Sequence, residues 1–292
     1  MKSPVRSVVI PLFFLICIVE AQTPAPPPAT STQVPNPATA PPPPLPPDEY
    51  KNLSDISVEL YYWLPKYHPE MRPGKANVDG DSLTLGSGID LAGGSKAAYG
   101  VLITTPAGRA NLLEFTYFRT KQQGNEIAPT ALILFGQPFN AGDLMVSATN
   151  TQHVRVTWSY LTYPDPPGVH KFRFRTRYGI EYTSMTARFD APLDPYASPV
   201  EGTRSIIYPS LGVGVEYHIS KRLYFEAIGE GFAWPHKAVQ GDADAKLSVR
   251  LARQLDLVLG GKEFYFKTNP QKDYYLKANM WGPYGALRWT FK

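Results

Sequence analysis

The sequence predicts an all-β fold: an antiparallel up-and-down transmembrane β-barrel of ten strands, or twelve if one further hairpin joins the wall. It follows a signal peptide and a disordered proline-rich linker. Three observations point to it. Apolar and polar residues alternate with period two in segment after segment, long and short connections alternate along the chain, and no apolar run after the N-terminal segment is long enough to cross a bilayer as a helix.

Residues 1–21 read as a secretory signal. Lys2 and Arg6 supply the positive end, an apolar run occupies 8–19, and Val19-Glu20-Ala21 places small or apolar residues at −3 and −1 of a cleavage site near Ala21. Cys17, the only cysteine, falls inside this segment. A lipoprotein cysteine is the alternative, but Ile16 stands before it where a small residue is needed. The mature chain is then expected to be thiol-free, which suits an oxidising compartment and excludes disulfides, zinc–thiolate sites and a Cys nucleophile.

Residues 22–48 are almost wholly Pro, Ala, Thr, Gln, Ser and Asn. Such a stretch buries too little apolar surface to offset its ordering entropy, so an extended linker rich in polyproline II is expected. It reads as a passive spacer or as a tether to the cell wall or to a periplasmic protein. The formal charge of +4 over 292 residues argues against nucleic acid as a partner.

Residues 49–292 are left for the barrel. In 171–185 one face carries Lys171, Arg173, Arg175, Arg177, Gly179, Glu181 and Thr183, and the other Phe172, Phe174, Thr176, Tyr178, Ile180 and Tyr182. The split recurs at 206–218, 243–251 and 281–291, and again at 56–64, 99–105, 112–118, 154–161 and 223–232. The polar faces mix both charge signs with Gly, Ser and Thr, a composition suited to a crowded lumen rather than to a solvated sheet face. Long connections are expected at 66–96, 120–150 and 186–203, with shorter members of the same set at 234–241 and 268–273. Tight ones are expected at 106–108, 163–168, 220–221 and 252–254. A sandwich has no reason to keep that parity. Thr130–Phe135 and Asp143–Ala148 could add two strands or form a hairpin within the long loop.

The candidate functional residues are the charges expected in the lumen: Glu59, Glu114, Arg155, Arg173, Arg175, Arg177, Glu181, Glu216, Glu226, Glu230, Asp244, Lys246, Arg250, Lys262 and Arg288. Buried charge must be paired, so a space-filling salt-bridge network is one reading. A gated polar pathway, with the arginine row facing carboxylates across the lumen, is the other. Tyr61, Tyr62, Trp63, Trp158, Tyr160, Trp281 and Trp289 are expected in aromatic girdles. His68, His153, His170 and His236 lack metal-ligand spacing, residues 77–82 only faintly suggest a calcium loop, and no phosphate loop or dinucleotide fingerprint exists. No cofactor is expected.

The C-terminal stretch Trp281-Gly282-Pro283-Tyr284-Gly285-Ala286-Leu287-Arg288-Trp289-Thr290-Phe291 resembles the closing strand of bacterial outer-membrane barrels of the broad OmpA-, OmpX- and OmpW-like class. Those strands end in an aromatic residue with apolar residues at alternate positions before it. Here one residue, Lys292, follows. The resemblance implies an outer-membrane location among outer-membrane lipids, and an assembly signal, Trp289 and Phe291, read by the barrel assembly machinery. It implies a small structural barrel or narrow pore whose external loops could contact ligands. Two other functions stay open. His218-Ile219-Ser220 is similar in spacing to the His-x-Ser pair of outer-membrane lipid A deacylases, although Lys221 stands where that family has Asn. A secreted soluble β-sandwich or lipocalin-like binder is the second.

Overall fold

The computed structural model describes residues 55–73, 89–90, 96–108, 110–128, 130–135, 137–162, 171–234, 238–268 and 274–291. The expected signal peptide and linker lie outside them, as do His170, His236 and residues 77–82. Among the described residues the fold is all strand: β1 (Ile56–Trp63), β2 (Lys66–Pro73), β3 (Ile89–Asp90), β4 (Ala98–Pro106), β5 (Asn111–Ile127), β6 (Leu132–Leu134), β7 (Gln137–Phe139), β8 (Leu144–Leu161), β9 (Phe172–Asp190), β10 (Val200–His218), β11 (Leu223–Trp234), β12 (Ala238–Ala252), β13 (Leu255–Lys267) and β14 (Tyr274–Phe291).

Ten strands form a closed wall in the order β1-β4-β5-β8-β9-β10-β11-β12-β13-β14, and β14 returns to pair antiparallel with β1 from Ile56↔Phe291 to Trp63↔Tyr284. β2 continues the line of β1 and pairs with the other half of β14, and β3 adds to β2. β6 and β7 form a separate hairpin between β5 and β8. Ten rather than twelve is therefore the wall count. Most of the expected second segment, 143–148, belongs to β8, and only part of the first reaches the hairpin.

At the seam where β1 passes into β2, Leu64 N donates to Pro283 O (3.0 Å) and Trp63 Nε1 donates to Gly282 O (3.2 Å). A Cβ on residue 282 would lie 2.1 Å from the Leu64 carbonyl oxygen, so only glycine lets the two backbones approach this closely.

Several strands are longer than a bilayer requires. β8 has 18 residues and β9 and β10 have 19 each, whereas a tilted membrane strand needs about 9–11. The expected loops at 120–150 and 186–203 are correspondingly shorter, because β5, β8, β9 and β10 run on into them. A surplus of about eight residues carries the wall roughly 20 Å further at ordinary strand rise and tilt.

The surplus is chemically distinct. Toward the tight turns, β9 points Phe172, Phe174, Tyr178, Ile180 and Tyr182 outward, while Arg173, Arg177 and Glu181 are buried inside. From Ser184 onward the pattern inverts. Ser184, Thr186 and Arg188 face outward and Met185, Ala187 and Phe189 are buried.

β5 turns over at the same level, with Leu113, Phe115 and Tyr117 giving way outside to Arg119, Lys121 and Gln123. β13 and β14 do likewise: Leu257, Leu259, Leu287 and Trp289 are succeeded on the outer face by Glu263, Lys267, Asn279 and Lys277, above buried Phe264, Phe266, Ala278 and Met280. A polar lattice covers the outer face of this upper barrel. Tyr182 Oη donates to Ser205 Oγ (3.2 Å), Ser205 to Ser184 Oγ (2.9 Å), and Arg119 Nε to Asn150 Oδ1 (2.8 Å).

Tyr62, Trp158, Tyr160, Trp281 and Trp289 lie on the outer face, as a girdle requires. Tyr61 and Trp63 do not: both point inward and are buried. Gly100, opposite Tyr61, gives the phenol ring its space, because a Cβ there would come within 2.1 Å of the ring.

Candidate functional site: the barrel lumen

Because side chains alternate across each strand, the inward residues of the ten strands meet in successive layers. Arg177 on β9 sits at the centre of the charged layer. Its two terminal nitrogens donate to the two oxygens of Glu114 on β5, both at 2.8 Å, and its Nε donates to Glu230 on β11. Arg155 on β8 lies 3.4 Å from Glu230 and 3.5 Å from Asp242, and Lys262 on β13 donates to both oxygens of Asp242 at 2.9 and 2.7 Å. The layer thus joins six strands, β5, β8, β9, β11, β12 and β13, through shared carboxylates.

Nearer the tight turns, Arg175 pairs with Glu216 (2.6 Å) and approaches Glu226 (3.5 Å), which Lys246 also meets at 3.2 Å. Arg173 lies 3.6 Å from Glu216. Arg288 on the closing strand donates through Nε to Glu59 on the first strand at 2.9 Å and also meets Tyr224, so an ion pair spans the seam of the wall. Asp244 accepts from Tyr284 Oη at 2.9 Å.

Of the charges expected inside, Arg250 differs. Its side chain is 45 % exposed at the tight-turn rim, where it holds buried Asp256 at 3.3 Å. The remaining members line the lumen, and Glu181 stands apart from the arginine row, one layer up.

Glu181 belongs to a mixed layer that the sequence reading did not assemble. Gln240 Nε2 donates to it at 3.0 Å, Tyr208 Oη lies 3.4 Å away, and His153 Nε2 is 3.4 Å distant. His153 is fully buried, stacked on Phe118 with ring centroids 4.9 Å apart and edge-on to Phe264 at 4.8 Å, and its Nδ1 is 3.0 Å from Thr183 Oγ1.

Above it an aromatic and aliphatic cluster fills the lumen beside a buried polar row, Thr120, Gln122, Ser147, Thr149 and Thr151, which meets it where Tyr67 Oη lies 3.1 Å from Thr151 Oγ1. Trp63, Tyr67, Met185, Phe189, Phe266 and Met280 are buried together with Leu134 and Phe139, contributed by the β6–β7 hairpin. The hairpin turn places Phe135 at a φ of 50°, a left-handed conformation unusual for an aromatic residue.

The network leaves little space. The cavity lined by Glu59, Tyr61, Glu114, Arg155, Asp242 and Lys246 has a volume of about 30 Å³, room for about two water molecules. Arg155 Nε, a buried donor on the cavity wall without a protein partner, marks where such a water would bond.

Asp242, Asp256 and Gln240 are among the lumen residues sequence reasoning missed. Asp242 shares a face with Asp244 and lay one position outside the segment read as alternating. Asp256 is the second residue after the tight turn, and the signal for it is its place opposite Arg250 across that turn.

The His-x-Ser triplet is not arranged as a nucleophile and its base. Ser220 of the His-x-Ser triplet accepts hydrogen bonds from Arg222 N and Leu223 N in the β10–β11 turn, while His218 pairs with Glu216 instead. A nucleophile needs its base within reach, and here the base is engaged elsewhere. Among the described residues no group of three His, Cys, Asp or Glu side chains could hold a metal ion.

No protein-family model matches the chain, and no curated protein matches it. Several solved structures are similar to it. Ail, the attachment invasion locus protein of Yersinia pestis, crystallised with the heparin analogue sucrose octasulfate, matches with 8 % identity over 81 % of this chain and 99 % of its own, at a TM-score of 0.36. The translocator domain of the autotransporter NalP from Neisseria meningitidis matches with 9 % identity over 82 % and 89 %, at 0.42. The outer membrane protein OprG of Pseudomonas aeruginosa matches with 11 % identity over 82 % and 96 %, at 0.33. The likeness is loose, and the barrel assignment rests on the strand register of this chain, which closes on itself through β14 and β1.

Proposed function

We propose that the chain is a bacterial outer-membrane β-barrel with a filled lumen, a structural scaffold rather than a conducting pore, which carries its upper barrel and long loops outside the cell. The observation that carries this reading is the inversion of polarity within single strands. From Phe172 to Tyr182, eleven residues of β9 face apolar outward and charged inward, the span expected of a strand that crosses a bilayer. A soluble lipocalin-like barrel would place those stripes the other way round along the whole strand, as this chain does only above Ser184.

The export signal, the C-terminal pattern ending in Phe291 and the parity of the connections support the same location. Closure is supported by the lumen itself, where, among the described residues, paired charges and then an aromatic layer stand in series along the barrel.

The decisive test combines fractionation with heat-modifiability. The protein should appear in the outer-membrane fraction and migrate differently when unboiled, and release as a monodisperse product in plain buffer would overturn the membrane reading. In planar bilayers the purified protein should give no reproducible current. Steady unitary conductance would replace the scaffold by a channel.

A further inference from the structure

We propose that the tight-turn end of the barrel carries a binding surface for the phosphate groups of anionic phospholipids, formed by Lys171 at the foot of β9 and by the turns β10–β11 and β12–β13. This rests on the membrane reading above and adds a ligand to it.

Lys171 and the two turns are neighbours. His218 N donates to Lys171 O at 2.7 Å, and Arg250 N donates to Arg222 O at 2.8 Å. They bring Lys171, Lys221, Arg222, Arg250 and Arg253 onto one continuous rim, all five exposed. Only Arg250 has an ion-pair partner among the described residues, Asp256, and that carboxylate is buried. The described residues of these turns offer no exposed carboxylate.

The positions are fixed rather than incidental. Ser220 Oγ accepts from Arg222 N at 3.3 Å and from Leu223 N at 3.1 Å, which holds Lys221 and Arg222 in a tight turn. Immediately inside the cations, the outward face presents Phe172, Tyr217, Ile219 and Leu251, all exposed.

A row of cations bordering an apolar, outward-facing stripe matches a lipid whose headgroup is anionic and whose chains lie against the wall. The opposite end of the molecule differs. There Arg119, Lys121 and Arg188 share the outer face with Glu126, Glu201 and Glu263, so both signs are interspersed and no such preference is built.

The test uses the folded full-length protein in detergent and its variant Lys171→Gln/Lys221→Gln/Arg222→Gln/Arg253→Gln, which leaves the Arg250–Asp256 pair intact. Native mass spectrometry counts adducts from an equimolar mixture of phosphatidylglycerol and phosphatidylethanolamine. The parent should prefer phosphatidylglycerol, and the variant should lose at least about tenfold of that preference, given the strength of individual Lys and Arg contacts with anionic surfaces. The control Arg119→Gln/Lys121→Gln should retain it. Equal adducts in the parent, or a preference the variant keeps, would overturn the proposal. So would displacement of the lipid by inorganic phosphate at tens of millimolar, or rim-dependent capture on purified cell-wall sacculi without any lipid preference. The heat-modifiability gel run on the same samples separates the two readings: a gel shift without lipid preference removes the binding surface alone, and no shift removes the membrane barrel as well.

Discussion

The two halves of β9 obey opposite rules. Below Tyr182 the strand is inside-out, with aromatic and aliphatic residues outside and arginines and a glutamate within. Above Ser184 it is built like a soluble protein, with hydroxyls and charge outside and Met185, Ala187 and Phe189 within. One continuous hydrogen-bond ladder runs through both, so the backbone does not mark the change. The side chains alone record a change of surrounding solvent. Where lipid bathes the outside, the wall cannot gain from burying apolar surface inward, and the interior is filled by charges that must pair among themselves. Where water bathes the outside, the hydrophobic effect resumes its usual direction and packs the interior with rings.

The largest effect should come from the charged half. Arg177→Met removes the cation that Glu114 and Glu230 share and leaves these buried carboxylates only longer contacts, to Arg175 at 3.8 Å and Arg155 at 3.4 Å. A loss of about 3–5 kcal/mol is expected, the usual cost of breaking a buried ion pair. It would appear as a lowered urea midpoint for the protein folded in lipid vesicles. The triple change Arg177→Met/Glu114→Leu/Glu230→Leu should recover most of that loss, since neither charge is then left behind. An unchanged midpoint in the single variant would mean that water, not the network, solvates this layer.

The apolar half predicts a smaller and more local effect. Phe189 is buried beside Phe135 of the loop hairpin, ring centroids 6.2 Å apart. Phe189→Ala should cost about 3 kcal/mol as a cavity in a packed core, concentrated in the upper barrel. Hydrogen exchange should quicken at 185–190 and 144–149 and stay unchanged at 172–180. Uniform loosening along the whole of β9 would show that the two halves unfold as one unit.

The inversion also explains what could and could not be read in the sequence. The inside-out halves were legible strand by strand, because strict alternation of charge with large apolar residues is conspicuous. Arg173, Arg175, Arg177, Glu216 and Lys246 could be placed inward from it. The upper halves look like loop in the sequence. At Tyr182 to Ser184 the alternation keeps its period and changes its phase, so the expected pattern ends although the strand does not. Phe118 and His153 show the consequence. Both point inward, where the lower rule expects small or paired polar groups, and neither was assigned to the lumen. Tyr61 and Trp63 were misplaced for a related reason. An aromatic residue near a strand end suits a girdle or an upper core equally, and only its parity relative to Glu59 separates the two. The β6–β7 hairpin has too few residues per strand for periodicity to register.

The sharpest test of the boundary compares two substitutions on one face of one strand. Ile180 and Thr186 both point outward from β9, six residues apart on the same stripe, with Ile180 65 % exposed. If the lower half is surrounded by lipid, Ile180→Arg must carry a guanidinium into hydrocarbon, at a cost of about 2–4 kcal/mol near the midplane and less toward the interface. Thr186→Arg enters water and loses only its contact with Thr203 Oγ1, at 2.9 Å, so its effect should stay within about 0.5 kcal/mol. The unfolding midpoint in lipid vesicles reads both. The six residue steps from 180 to 186 span about 20 Å of strand, so a large penalty at 180 beside a negligible one at 186 fixes the lipid boundary within that interval. Equal, small penalties would place water on both sides of the boundary, and the paired charges inside the lower barrel would then need a cause other than the membrane.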